Sequence, residues 1–251
     1  MQLYILRHAQ SANNHLYTTT NSSVGRQADP PLTEIGHQQA QLLARHLATV
    51  PAGEAFGAHA MRHNRHGFGL THLYTSLMLR AIVTASYVAE ATSLPLHAWP
   101  EAHEWGGLHT LDEATGEDVG VPGPDRTFFA DQFPHLRLPE TLGAAGWWGD
   151  RGREQRDEYL PRAQRVWAEL LARHGDTDDH VGLVTHGGFF QSLIAAVVPA
   201  EGTLGAPGLA LEHLRFTVSN ASISRIDVKD GVARVLYTNQ VAHLPDDLIT
   251  G

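Results

Sequence analysis

Arg7 and His8 close the apolar run Leu3–Leu6, and Ser11 and Asn14 follow within one turn's reach. Four consecutive apolar residues fit a short strand buried on both faces of a parallel sheet. Ligands of open α/β sheets bind beyond the carboxyl ends of such strands. An imidazole placed there is a competent nucleophile near neutral pH, and a guanidinium beside it is a fork for oxyanions. The other Arg-His pairs lack that setting: Arg45-His46 falls in an amphipathic pattern, Arg173-His174 precedes Gly175 as the cationic end of a helix, and Arg62-His63 and Arg65-His66 lie in a Gly-rich loop. A second strand end repeats the arrangement. His180–Thr185 leads to His186, Gly187-Gly188 and an apolar helix. Paired glycines at a strand-to-helix turn let backbone N–H groups face an anion, with the helix dipole behind them. Two strand-end histidines beside anion-binding groups point to a phosphate site.

Positioning these side chains takes an alternation of strands and helices. Thr33 caps a predicted helix from Glu34 to about Ala48, with Ala40, Leu43 and Leu47 facing the core. Residues 71–75 form the next strand, and Ser76 caps a helix to about Ala91 with Arg80 in its first turn. The amino-terminal dipole disfavours a cation there, so Arg80 reads as placed for an anion. Pro95–Trp99 is a third strand, with Glu101 and Glu104 just beyond it. Arg153–His174 is an amphipathic helix, and Leu214–Thr217, Ser222–Val228 and Ala233–Tyr237 read as strands, the last two joined at Lys229-Asp230-Gly231. Asn13–Asp29 is expected to be a polar loop. Residues 108–153 carry scattered Gly and Pro with Trp147-Trp148 and no sustained period, which predicts an insertion over the site rather than a second domain. The loop from Gly53 to Gly69 holds His59, His63 and His66. With no cysteine or carboxylate cluster nearby, these read as solvated rather than zinc-binding.

Taken together, the motifs resemble the histidine phosphatase superfamily, the phosphoglycerate mutase-like family. Arg7, His8, Ser11 and Asn14 stand at the places of its opening Arg-His-Gly-x-Ser/Thr-x-x-Asn motif, with Ala9 in place of the glycine. Asp29-Pro-Pro-Leu-Thr-Glu-Ile-Gly36 is similar to its Asp-x-Pro-Leu-Thr-x-x-Gly element, and Ser76 to Ala85 to its Ser-x-x-x-Arg-Ala-x-x-Thr-Ala element. Thr185-His186-Gly-Gly completes the set. The resemblance implies an α/β three-layer sandwich, a mostly parallel central sheet flanked by helices, with an inserted cap region. It implies His8 as nucleophile carrying the phosphoryl group, Glu104 as the acid with Glu101 as its rival, and His186 as the third catalytic residue. Arg7, Ser11, Asn14, Arg80 and Gly187 would then bind the substrate phosphate. The arginines make a metal unnecessary, and no cofactor is implied.

The 251 residues suffice for one α/β domain with an insertion. With no cysteine there is no thiolate or disulfide chemistry, and a formal charge of −9 argues against a nucleic-acid surface. No apolar run reaches membrane-spanning length, and the first strand leaves no room for a leader, so a cytoplasmic protein is expected. The expected partner is a small-molecule phosphate ester, with no membrane contact and a homodimer left open. The family's mutases carry a Gly-Trp element after the opening motif and a basic stretch beyond the acid. Here residues 16–28 lack tryptophan and residues 108–153 are not basic, so a phosphatase is favoured over a mutase. A non-catalytic phospho-ligand sensor is the alternative from another class, and it would not need a strand-end nucleophile. A zinc hydrolase built on the loop histidines is a third reading.

Overall fold

Strand β1 (Gln2–Arg7) lies inside the sheet because both of its faces are apolar: Leu3 and Ile5 pack into one core cluster, Tyr4 and Leu6 into another. The computed structural model describes residues 1–49, 62–64, 67–197 and 215–251. Its main elements are α1 (Ala12–Thr20), α2 (Glu34–Leu47), β2 (His72–Thr75), α3 (Leu79–Thr92), β3 (Leu96–Ala98), β4 (His109–Leu111), β5 (Asp118–Gly120), α4 (Arg126–Gln132) and β6 (Leu136–Arg137). They continue with α5 (Tyr159–His174), β7 (His180–Thr185), α6 (Gly187–Val197), β8 (Ile223–Lys229) and β9 (Val232–Gln240).

The seven-stranded sheet runs β6-β3-β2-β7-β1-β8-β9. β6, β3, β2, β7 and β1 are parallel, and β8 and β9 join antiparallel. Leu43 and Leu47 of α2 and Ile82, Ala85 and Val88 of α3 cover one face. Val166 and Leu170 of α5 and Phe189 and Leu193 of α6 cover the other. This is the three-layer α/β sandwich with a mostly parallel sheet.

Register decides where the site falls. Arg7 pairs with Thr185 across β1 and β7, and Thr75 pairs with Val184 across β2 and β7. The next residues, His8, His186 and Ser76, therefore emerge side by side at the carboxyl edge.

Several elements differ from the sequence reading. Residues 12–20 are helical rather than a loop: Ser11 caps α1, and Asn14 completes a reciprocal capping box. The helix buries no residue, so apolar periodicity could not reveal it. Helix α3 begins at Leu79 and not after Ser76, although Arg80 stays in its first turn. A 3₁₀ turn at Arg156–Glu158 precedes α5, which starts six residues later than the pattern indicated. Of the expected strand Leu214–Thr217, Leu214 lies outside the described residues and residues 215–217 have no strand pairing. The segment 108–153 holds the β4–β5 hairpin, α4 and β6. Its Phe129, Leu136, Leu142, Trp147 and Trp148 share the core cluster of α2 and α3. His59 and His66 lie outside the described residues, while His63 is exposed in a turn.

Candidate active site

His8 is held on both ring nitrogens at the carboxyl edge. It is 2% exposed. Its Nδ1–H donates to the Ala9 carbonyl at 2.7 Å, which fixes the tautomer and leaves a lone pair on Nε2. Arg80 Nε–H donates to that Nε2 at 3.1 Å. Burial, then Arg80 and Arg7, push the His8 pKa well below its usual value, so the imidazole is neutral. Ala9 is fully buried, its N–H donates to Thr84 Oγ1 at 3.1 Å, and its backbone is not left-handed. Alanine thus fits where the family has glycine.

His186 sits beside it, with ring centroids 5.1 Å apart. Its Nε2 faces Ser76 Oγ at 2.9 Å, and Ser76 Oγ accepts from the Met78 N–H at 3.2 Å. The serine hydrogen is therefore free to point at Nε2, leaving Nδ1 to carry the imidazole hydrogen. That Nδ1 is buried without a partner. Burial and the charge of Arg80 hold His186 well below its usual pKa as well.

The two arginines are held differently. Arg7 donates to the Val218 carbonyl, while its buried Nε has no partner. Burial lowers Arg7 to about 10, with Glu104 opposing the shift and Arg80 adding to it. Arg80 is buried, and its Nη1 lies 3.8 Å from Asp29 Oδ1, which also accepts the Leu79 N–H at 3.0 Å. Burial raises Asp29 to about 6 despite that arginine. Asp29 thus caps α3 from a distant loop while buttressing Arg80.

Glu104 occupies the amino terminus of α6. Its carboxylate accepts N–H bonds from Trp105 at 2.8 Å, Gly188 at 3.1 Å and Phe189 at 3.0 Å. Part of the cradle read from Gly187-Gly188 is therefore filled by the protein's own carboxylate. A Cβ on Gly188 would stand 2.3 Å from Glu104 Oε1, whereas one on Gly187 would stand 3.5 Å from Arg7 Nε. Glu101 points away: its carboxylate pairs with Arg165 on the exposed face of α5 at 2.7 Å. The Glu101–Glu104 turn is anchored by the buried Arg162, which donates to the carbonyls of Glu101 and His103 and pairs with Glu154.

Ser11 and Asn14 lie one turn from His8 but spend their polar groups on the cap of α1. Ser11 Oγ donates to Asn14 Oδ1 at 2.9 Å. Asn220 Nδ2 reaches both that oxygen and the His8 carbonyl, each at 3.2 Å. Asp29, Ser76 and Asn220 were not singled out as site residues from the sequence. Asp29 and Ser76 stand in family elements that could have marked them, whereas Asn220 has no local signal.

A parallel-sheet edge carrying two buried imidazoles, the buried Arg80 and the half-buried Arg7 is suited to hold a phosphoryl group. Residues 3–241 match the histidine phosphatase superfamily (branch 1), and the chain belongs to that family, whose members are phosphatases and mutases. It is 26% identical over 234 residues to a probable phosphoglycerate mutase GpmB of Enterobacter sp. (strain 638), covering 92% of this chain and 86% of that one. Among solved structures it is similar to a mycobacterial glucosyl-3-phosphoglycerate phosphatase (22% identity, 96% and 99% of the two chains, TM-score 0.55). It is also similar to a phosphoserine phosphatase of Entamoeba histolytica (16%, 97% and 99%, TM-score 0.55). These structural likenesses concern the fold. No helix among the described residues is long and apolar enough to cross a membrane.

Proposed function

We propose that the protein hydrolyses small phosphate monoesters through a phosphohistidine at His8. The observation that carries this reading is the fixed His8 tautomer, which presents a neutral Nε2 lone pair beside Arg7, Arg80 and His186. In the first step Nε2 forms the P–N bond and the P–O bond to the leaving group breaks, with Glu104 giving the departing oxygen a proton. In the second, Glu104 takes a proton from water as its oxygen attacks phosphorus, the P–N bond breaks and inorganic phosphate leaves. Dividing one displacement in two lowers each barrier.

Phosphoryl transfer rests on positioning and charge more than on covalent chemistry. Two buried donors support the assignment: Arg7 Nε and His186 Nδ1 have no acceptor, and phosphate oxygens would supply one to each. Arg80 would turn its donors from Nε2 to the phosphate, which releases the lone pair for attack. In this reading Gly187 allows close approach beside Arg7, while Ser11 and Asn14 shape the floor. Guanidinium groups supply the positive field, so no metal is required. Residues 108–153 act as the substrate-selecting cap. Arg26, which bonds His109 of that segment, links it to the loop after α1.

A mutase is the second reading, favoured by the name of the Enterobacter relative. One assay separates the two. Hydrolysis of an aryl phosphate in chelator, with an acid-labile ³²P label trapped on the protein, supports the phosphatase reading. Isomerisation of 3-phosphoglycerate without net phosphate release supports the mutase. Absence of both activities would leave a phospho-ligand sensor.

A further inference from the structure

We propose that His72, His174 and Asp179 form a zinc-binding site at the opposite end of the sheet from the active site. His72 opens β2, His174 ends α5, and Asp179 immediately precedes β7. Along β7, Asp179 and His186 are separated by roughly 20 Å at the rise of an extended strand.

One ligand atom from each of the three residues lies within 4.8 Å of the others. Asp179 offers a different oxygen to each imidazole: Oδ2 is 2.8 Å from His174 Nδ1, and Oδ1 is 3.8 Å from His72 Nδ1. The two rings are 4.7 Å apart. Zinc–ligand bonds near 2.1 Å in a tetrahedron place ligand atoms about 3.4 Å apart, so small rotations of the side chains would suffice. His72 and Asp179 are partly exposed while His174 is buried. Water can therefore reach the ion and fill the fourth position.

The surroundings suit an imidazole ligand. Metal-bound histidines normally spend their other nitrogen on an orienting hydrogen bond. His174 Nε2 is 3.1 Å from the Tyr74 hydroxyl inside the protein. In the free protein Nδ1–H faces the Asp179 carboxylate. On zinc binding that hydrogen moves to Nε2, which donates to the tyrosine oxygen. Thr71 Oγ1, 2.9 Å from His72 Nδ1 and exposed, gives way to the ion. Exposed Asp176 and Asp178 in the same turn add negative potential. Of the cations nearby, the Met1 ammonium is held by the carbonyls of Thr177 and Val228, and Arg173 is paired with Glu169 and lies over Trp99 at 4.8 Å. Imidazole nitrogens with one carboxylate favour zinc over the alkaline-earth ions, which prefer oxygen. Such an ion would tie the start of β2 to the α5–β7 turn, a hundred residues away, and would stabilise the folded state alone.

Zinc titration by calorimetry and thermal unfolding tests this on the whole protein. Wild type should bind one more equivalent of zinc than His72→Gln or Asp179→Asn, and zinc should raise its unfolding midpoint but not theirs. Cobalt should give tetrahedral visible absorption in wild type only. His8→Ala, which removes the close histidine pair of the active site, should keep the equivalent. Equal zinc binding in wild type and both variants would overturn the proposal. So would loss of the equivalent in His8→Ala with retention in His72→Gln.

Discussion

Arg80 Nε donates to His8 Nε2 at 3.1 Å, so in the proposed mechanism the group that would bind phosphate holds the lone pair that would attack it. Both side chains are buried, and the Arg80 charge adds to burial in lowering the affinity of His8 for a proton. The contact keeps His8 neutral and oriented. In that mechanism an incoming phosphate dianion is the stronger acceptor for the guanidinium, so substrate binding would also expose the His8 lone pair.

His8→Ala should reduce turnover by at least about 10³-fold, the scale seen when an essential nucleophile is removed. Its circular dichroism spectrum should match wild type, because the imidazole bonds only the Ala9 carbonyl and Arg80 and carries none of the sheet's pairing. Retention of more than a tenth of wild-type turnover would exclude His8 as the attacking group.

Glu104→Gln keeps an oxygen for the Trp105 and Phe189 N–H groups, which share Oε1, but gives up the acceptor of the Gly188 N–H and cannot transfer a proton. Turnover of alkyl phosphates should fall about 10²-fold. Aryl phosphates, whose phenolate leaves unaided, should lose less than about tenfold. Parallel initial-rate assays on the two ester classes decide it, and equal losses would make Glu104 a structural carboxylate.

Stability should fall as pH drops below about 6.5, the ordinary histidine value. His46 and His243 stack 5.1 Å apart at 12°, and burial then the neighbouring ring lower His243 to about 4. His8, His103 and His186 are lowered too, each mainly by burial. Between the folded and unfolded values the unfolded chain binds more protons, so acid favours unfolding. Asp29 works in the opposite sense: raised to about 6, it contributes stability at low pH that is lost as pH rises through that value. The lowered histidines outnumber it. Urea midpoints between about pH 7 and pH 4.5 should therefore fall with acid, and His243→Leu should flatten the slope by up to about 3 kcal/mol over the window.

Gly107→Ala should destabilise the protein by about 1–3 kcal/mol. Gly107 has φ +64, and a Cβ there would stand 2.0 Å from Trp148 Cη2. Denaturant titration measures the loss. Gly149→Ala, with φ +64 but open space around it, separates backbone strain from the clash and should cost less.

The parts of this molecule legible in the sequence are those where a local pattern and a tertiary demand coincide. Leu3–Leu6 and Val181–Val184 read as buried strands because both sheet faces are covered, and that placed His8 and His186 at one edge. Helix α1 escaped notice because it rests on a cap and not on an apolar stripe. The choice between Glu104 and Glu101 turns on Arg165, 64 residues beyond Glu101 in the chain, which local spacing cannot show. Ser76 looked like a helix cap since its hydroxyl does accept the Met78 N–H. Its approach to His186 follows only from the β2–β7 register. Asn220 reaches His8 across 212 positions, beyond anything a motif carries.

The placement of β1 also has a cost in time. Its partners are β7, beginning at His180, and β8, beginning at Ile223. At about 5–20 residues per second of synthesis, this apolar strand waits on the order of 10–40 s before the first of them exists. Throughout that interval both edges of Leu3–Leu6 remain unpaired, the condition that invites association between chains. The strand that leads to His8 is thus a segment of the nascent chain in need of shielding, and slower elongation before His180 would lengthen its exposure.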